Sequence, residues 1–154
     1  MSESVNIHAT CVCFGRRGVL LLGKSGSGKS DLALRLIGRD AKLVADDRCD
    51  LSIENGLLVA RPPATIAGLL EVRGIGIVEL PHAPSAPVVL AVDLSGQMVR
   101  MPEPARYVPP LALRQSAQPP LIVLNAFEES APDKIAAVLG LFGKGRRRRA
   151  VKRN

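Results

Sequence analysis

Short apolar runs broken by turn residues dominate this chain, and few are long enough for a helix. Residues 7–14 read as a strand, Gly15-Arg16-Arg17-Gly18 as a turn, and Val19-Leu20-Leu21-Leu22 as a returning strand, which together predict a hairpin. Residues 31–37 have helical spacing, with Leu32, Leu36 and Ile37 on one face and Gly38 as the natural stop. Lys42-Leu43-Val44-Ala45 predicts a strand that ends at Asp46-Asp47. Residues 51–54 and 57–60 flank Asn55-Gly56, a strong short hairpin signal. After Pro62-Pro63, residues 64–70 predict a short helix or turn, and residues 75–80, 88–94 and 121–124 predict strands. The proline-rich residues 102–120 read mostly as loop. A last helix is expected over residues 131–142, with Ser130 capping it, Pro132 in its first turn and Gly143 after its end. One early helix followed by hairpin-joined strands is not regular βαβ alternation. It predicts an α/β chain built on a mixed, partly antiparallel sheet with few helices.

Composition narrows this picture. The 154 residues are 47% hydrophobic but only 3% aromatic, so one domain with an aliphatic core is expected. No apolar run is long enough to span a membrane, and the polar N-terminus has no signal-peptide pattern, so a cytoplasmic protein is expected. The cysteines, Cys11, Cys13 and Cys49, are odd in number and form no C-x-x-C pair, which predicts buried reduced thiols, with neither a disulfide framework nor a zinc site. The net charge of +7 is concentrated in residues 143–154, which hold Lys144, Arg146, Arg147, Arg148, Arg149, Lys152 and Arg153 and no acid. That divides the chain into a domain over 1–142 and a basic, disordered tail over 143–154. No aromatics interleave with the cations, so specific nucleic-acid recognition is not expected.

Candidate chemistry starts at Gly23-Lys24-Ser25-Gly26-Ser27-Gly28-Lys29-Ser30, which fits the phosphate-loop pattern G-x-x-x-x-G-K-[ST] without a gap. It lies between a predicted strand and a predicted helix, the setting in which backbone N–H groups and a helix dipole converge on a phosphate. Lys29 is placed to reach the β- and γ-phosphates of ATP, and the Ser30 hydroxyl to sit on Mg²⁺. Asp46-Asp47 presents a carboxylate at a strand end, suited to a γ-phosphate or to an attacking hydroxyl, and alternation along a strand lets only one of the two face the reacting centre. Asp93, ending residues 88–93, is a competing magnesium-site carboxylate. Glu71 and Arg73 stand just ahead of a Gly74-x-Gly76 pair entering a strand, where Glu71 is a candidate to complete an Mg²⁺ shell and Arg73 to hold a phosphate or a neighbouring subunit. His8 lies on the first strand, and His82 carries no assigned role.

Together these residues resemble HPr kinase/phosphorylase. The matching segments, in order, are His8, the loop from Gly23 to Ser30 followed by an acid, Leu43-Val44-Ala45-Asp46-Asp47-Arg48, and Leu70-Glu71-Val72-Arg73-Gly74-Ile75-Gly76-Ile77. The resemblance covers about residues 5–80 and is of a short form comprising only the C-terminal catalytic domain. It implies a P-loop fold like that of phosphoenolpyruvate carboxykinase, ATP and Mg²⁺ as cofactors, HPr as the protein substrate, and a homo-oligomer, hexameric in the family. It implies transfer of phosphate from ATP to a serine of HPr, and phosphorolysis of that phosphoserine to pyrophosphate. By position, Asp47 is the implied general base, supported by Asp46; His8 approaches the transferring phosphate; Lys29 neutralises charge; Ser30 and Glu71 hold Mg²⁺; and Arg100 matches a catalytic arginine. Residues 121–127 depart from the family's Pro-x-Arg-Pro-Gly-Arg-Asn-like segment, which leaves the reverse reaction open. A small-molecule P-loop kinase or ATPase and a non-catalytic nucleotide sensor are the competing readings.

Overall fold

β1 (Ser4–Phe14) is a long strand that serves two sheets. The computed structural model describes residues 3–110 and 118–142. From Ser4 to His8, β1 pairs antiparallel with β4 (Arg48–Glu54). Beyond that it pairs antiparallel with β2 (Arg17–Leu22) on one side and β3 (Lys42–Ala45) on the other. β8 (Ala86–Asp93) crosses over in the same way. Its first residues pair with β5 (Leu57–Arg61), and from Val88 onward it runs parallel to β2. β10 (Pro120–Val123) lies parallel on the far side of β8, edged by β9 (Ala105–Arg106). The β4–β5 hairpin turns through Asn55 and Gly56 at φ of 53° and 77°, the conformation of a type I′ turn, which Asn-Gly favours.

Alternation along the shared strands fills two cores. Val12, Val19, Leu21, Leu43, Leu90 and Val92 face α1 (Lys29–Ile37) and α2 (Ala131–Val138), where Leu32, Leu36 and Ile135 meet them. The intervening residues, among them Cys11, Cys13, Leu20, Val44 and Ala91, point the other way. They pack between the two sheets with Leu51 and Leu58. Both sets are aliphatic and close to fully buried, as the scarcity of aromatics requires.

Residues 64–70 and the end of the last helix depart from expectation, whereas the first helix does stop at Gly38. Residues 64–70 hold only a single 3-10 turn (Ala64–Ile66) before β6 (Leu69–Val72), which returns through Arg73-Gly74-Ile75 as β7 (Gly76–Glu79). Glu71 therefore lies within β6, and the Gly74-x-Gly76 pair after it does lead into a strand, β7. α2 ends at Val138, well before Phe142. Gly140 takes φ 71°, its N–H reaching the carbonyl of Ala137 and that of Leu141 reaching Ala136, so the closing glycine is Gly140 and the last carbonyls are satisfied there. Ser130 makes no side-chain cap. Gly38 remains right-handed at the end of α1, and the left-handed closure falls on Asp40 at φ 76°, with the N–H of Ala41 bonding to Leu36. Gly143 and the basic tail over 143–154 lie outside the described residues.

The three thiols are free and buried, as expected. Burial pushes Cys49 up to about 12, with Asp50 adding to the effect, and raises Cys11 well above its ordinary value. An unfolded thiol ionises near 9.0. Between that pH and the folded value the unfolded chain binds fewer protons, so the stabilisation is complete below pH 9.0 and declines as pH rises toward about 12. The denaturation midpoint is expected to fall between about pH 8 and about pH 11, and to fall less in Cys49→Ala. Equal slopes in the two proteins would remove Cys49 as the cause.

Candidate active site

β2 delivers the chain into the phosphate loop, and α1 begins at Lys29 within it. The loop is closed on itself by Ser27 N–H donating to the Lys24 carbonyl at 3.0 Å, and on its neighbour by Lys24 N–H donating to Ser95 Oγ at 3.0 Å. Gly28 has φ 96°, and a β-carbon there would come within 2.7 Å of the Ala126 methyl, so both backbone and space demand glycine. Lys29 is 6% exposed and folds its ammonium back onto the carbonyls of Gly23 at 2.7 Å and Lys24 at 3.3 Å. Burial lowers its pKa, opposed by the nearby charges of Asp47 and Asp46.

The second half of the site is a corner between the two sheets. Cys11 pairs with Ala45 in one sheet and His8 with Arg48 in the other. The bend between them places Ala9 and Thr10 opposite Asp46 and Asp47. Asp47 sits at φ 69°, a left-handed conformation that strains a non-glycine residue and here turns the chain from β3 into β4. Thr10 Oγ1 stands at the centre, accepting the N–H of Asp47 at 3.0 Å and donating to Asp46 Oδ1 at 3.1 Å.

The two carboxylates diverge from this point. Asp46 is 8% exposed and accepts the Ser30 hydroxyl at 2.6 Å on Oδ1 and the Glu71 N–H at 3.2 Å on Oδ2. It joins the first turn of α1, the sheet corner and β6 into one unit. Asp47 turns outward, its side chain 64% exposed, with Oδ1 at 2.7 Å from His8 Nε2. The structure thus brings together His8, Lys29, Ser30, Asp46, Asp47 and the backbone of Glu71. Asp46 meets Ser30 and makes no hydrogen bond to Asp47.

Two sequence candidates are not brought to this cluster. Asp93, which pairs with Leu22 just before the loop, accepts the N–H of Ser95 on Oδ1 at 2.9 Å in its own turn and makes no hydrogen bond to Ser30, whose hydroxyl goes to Asp46. Arg100 is exposed and makes no hydrogen bond or ion pair with the described residues. Thr10 was missed by sequence reasoning. Its signal was a lone hydroxyl two residues beyond His8, on the same side of a strand that then turns apolar. Among the described residues no group of three or more His, Cys, Asp or Glu is arranged to hold a metal ion. The hard oxygens of Ser30 and Asp46 at a helix N-terminus nevertheless fit a magnesium ion whose other ligands are phosphate and water. Among the same residues no helix is long and apolar enough to cross a membrane.

HPr kinase/phosphorylase of Clostridium tetani is 36% identical over 101 residues, covering 66% of this chain and 33% of that protein. HPr kinase/phosphorylase of Clostridium acetobutylicum is 42% identical over 81 residues, covering 53% and 27%. The chain therefore spans about a third of the length of the curated relatives it matches. The solved structure of the Hpr(Ser) kinase/phosphatase from Coxiella burnetii shares the fold, with a TM-score of 0.73 over 89% of each chain at 24% identity. Residues 1–86 match the HPr Serine kinase C-terminal domain, and the chain belongs to that family.

Proposed function

We propose that this chain is an ATP-dependent protein-serine kinase that phosphorylates HPr. The observation that carries the proposal is the joined pair of carboxylates, one on the phosphate-loop serine and one open to the surface beside a histidine. Asp47 accepts the proton of the substrate serine as its oxygen bonds to the γ-phosphorus and the bond to the β–γ bridging oxygen breaks, releasing ADP. His8 Nε2, in contact with Asp47 Oδ1, holds that carboxylate and faces the transferring group. Lys29 and the loop N–H groups neutralise charge on the β- and γ-phosphates. Ser30 and Asp46 would hold Mg²⁺, with Glu71 completing the shell from β6. Magnesium held by these residues would supply charge neutralisation for the transferred phosphate. Arg100 has no part in this proposal, because nothing in the site touches it.

The exposure of Asp47 supports a hydroxyl presented on a protein loop over a small molecule enclosed in a pocket. Phosphorolysis at the same carboxylate, cytoplasmic placement and the hexamer that the family resemblance implies belong to the same proposal; the mass in solution by light scattering tests the last. Incubation with Mg²⁺, γ-labelled ATP and HPr from the same organism is expected to label a serine of HPr, and later addition of phosphate to release pyrophosphate. ATP binding without label on HPr would turn the reading toward a small-molecule kinase or a nucleotide sensor.

A further inference from the structure

β2, β8 and β10 run parallel and end side by side. Their ends are laced by the N–H of Leu94 donating to Leu22 and that of Leu124 donating to Asp93. In open α/β sheets the crevice beyond the carboxyl ends of such strands is where ligands bind. Here it holds a cavity of about 460 Å³, in the size range of small-molecule sites. The phosphate loop forms one wall through Ser25 and Gly26, the turn after β8 another through Ser95 and Met98, and the turn after β10 a third through Asn125 and Phe127. The cavity is thus continuous with the loop but lies apart from the Asp46–Asp47 corner, which contributes nothing to its lining.

Phe127 is the unusual member. Aromatics are 3% of this chain, yet this phenyl ring stays 66% exposed, and Met98 beside the same cavity is 40% exposed. The backbone that carries the ring is nevertheless fixed. The Phe127 backbone N–H donates to Asn125 Oδ1 at 2.9 Å, and Arg35 of α1 donates to the carbonyls of Ala126 and, at 3.2 Å, Glu128. The 125–128 turn is therefore tied to the helix that starts in the phosphate loop. With Oδ1 used in the turn, Asn125 keeps its Nδ2 donor for a ligand.

We propose that this cavity is the nucleoside site of the nucleotide held by the phosphate loop, with a purine stacked on Phe127 and Asn125 Nδ2 donating to a ring acceptor. The inference rests on the nucleotide reading above. Aromatic stacking uses the flat face that every base has and is lost on truncation of the ring, which typically weakens binding about tenfold or more.

The test compares ATP with inorganic tripolyphosphate, which has the phosphates and no base. The parent protein is expected to bind ATP more tightly than tripolyphosphate. Phe127→Ala is expected to weaken ATP about tenfold and to leave tripolyphosphate within about twofold, closing the gap. The chain has no tryptophan, so Phe127→Trp gives a single reporter at the site. Its emission is expected to change on titration with ATP and to stay constant with tripolyphosphate. ATP affinity unchanged in Phe127→Ala, or constant emission at saturating ATP, would overturn the base site alone. A parent that binds neither compound would overturn the phosphate-loop reading, and the base site with it.

Discussion

Asp47→Asn is expected to bind ATP as the parent does and to transfer its γ-phosphate about 10²–10⁴-fold more slowly, the usual contribution of a positioned general base. The substitution preserves shape and the αL turn, since asparagine tolerates positive φ well. Its amide keeps an oxygen for His8 but cannot accept the serine proton. Binding is preserved because Asp47 points outward and touches neither the loop nor Ser30, which bonds to Asp46 instead. Single-turnover transfer and equilibrium ATP binding measured on the same preparation separate these effects. Transfer near the parental rate would remove Asp47 from the base role, and equal loss of binding and transfer would mean that it acts on the nucleotide. Asp46→Asn would show the opposite balance if Asp46 serves the magnesium side, since its Oδ1 is shared by Ser30 and Thr10.

The parts of this fold that were legible in the sequence are those written in local chemistry. The phosphate loop is eight contiguous residues whose glycines announce their own geometry, and Asn55-Gly56 specifies its turn without help from the rest of the chain. The strand 42–45 was legible with its bounds because Lys42 and Asp46-Asp47 bracket the apolar run Leu43-Val44-Ala45. What could not be read depended on partners distant in sequence. Whether Asp46 or Asp47 faces the loop is decided by Thr10, which lies 36 and 37 residues away and meets them only where β1 crosses between sheets. β6 was hidden because Leu69-Leu70-Glu71-Val72 is short and follows an alanine-rich stretch that suits a helix equally well; pairing with β7 decides it. α2 was overextended because Gly143 and Gly140 are both eligible to close it, and the nearer one does. The role of Phe127 was invisible because its neighbours, Gly28 and Arg35, belong to the other end of the chain.

Lys29→Met is expected to weaken binding of ATP and of tripolyphosphate, and to slow transfer by about 10²–10³-fold, the scale set by removing one preorganised charge from a transferring group. Stability is expected to move in the opposite direction. Burial lowers the pKa of Lys29, which means that the folded chain disfavours its charged form, and the attraction of Asp46 and Asp47 does not reverse this. The charge thus opposes folding below the pH at which an unfolded lysine titrates, and a neutral side chain of similar length removes the penalty. Methionine fills the same space under the loop, and the carbonyls of Gly23 and Lys24 lose a donor at a rim that water reaches. The melting temperature is therefore expected to hold or rise while nucleotide handling collapses. That pairing identifies a residue kept for its chemistry at some cost to the fold. A melting temperature that falls together with binding would instead make Lys29 a structural strut of the loop, holding Gly23 and Lys24 in place, and ATP turnover unchanged in the variant would contradict the loop assignment itself.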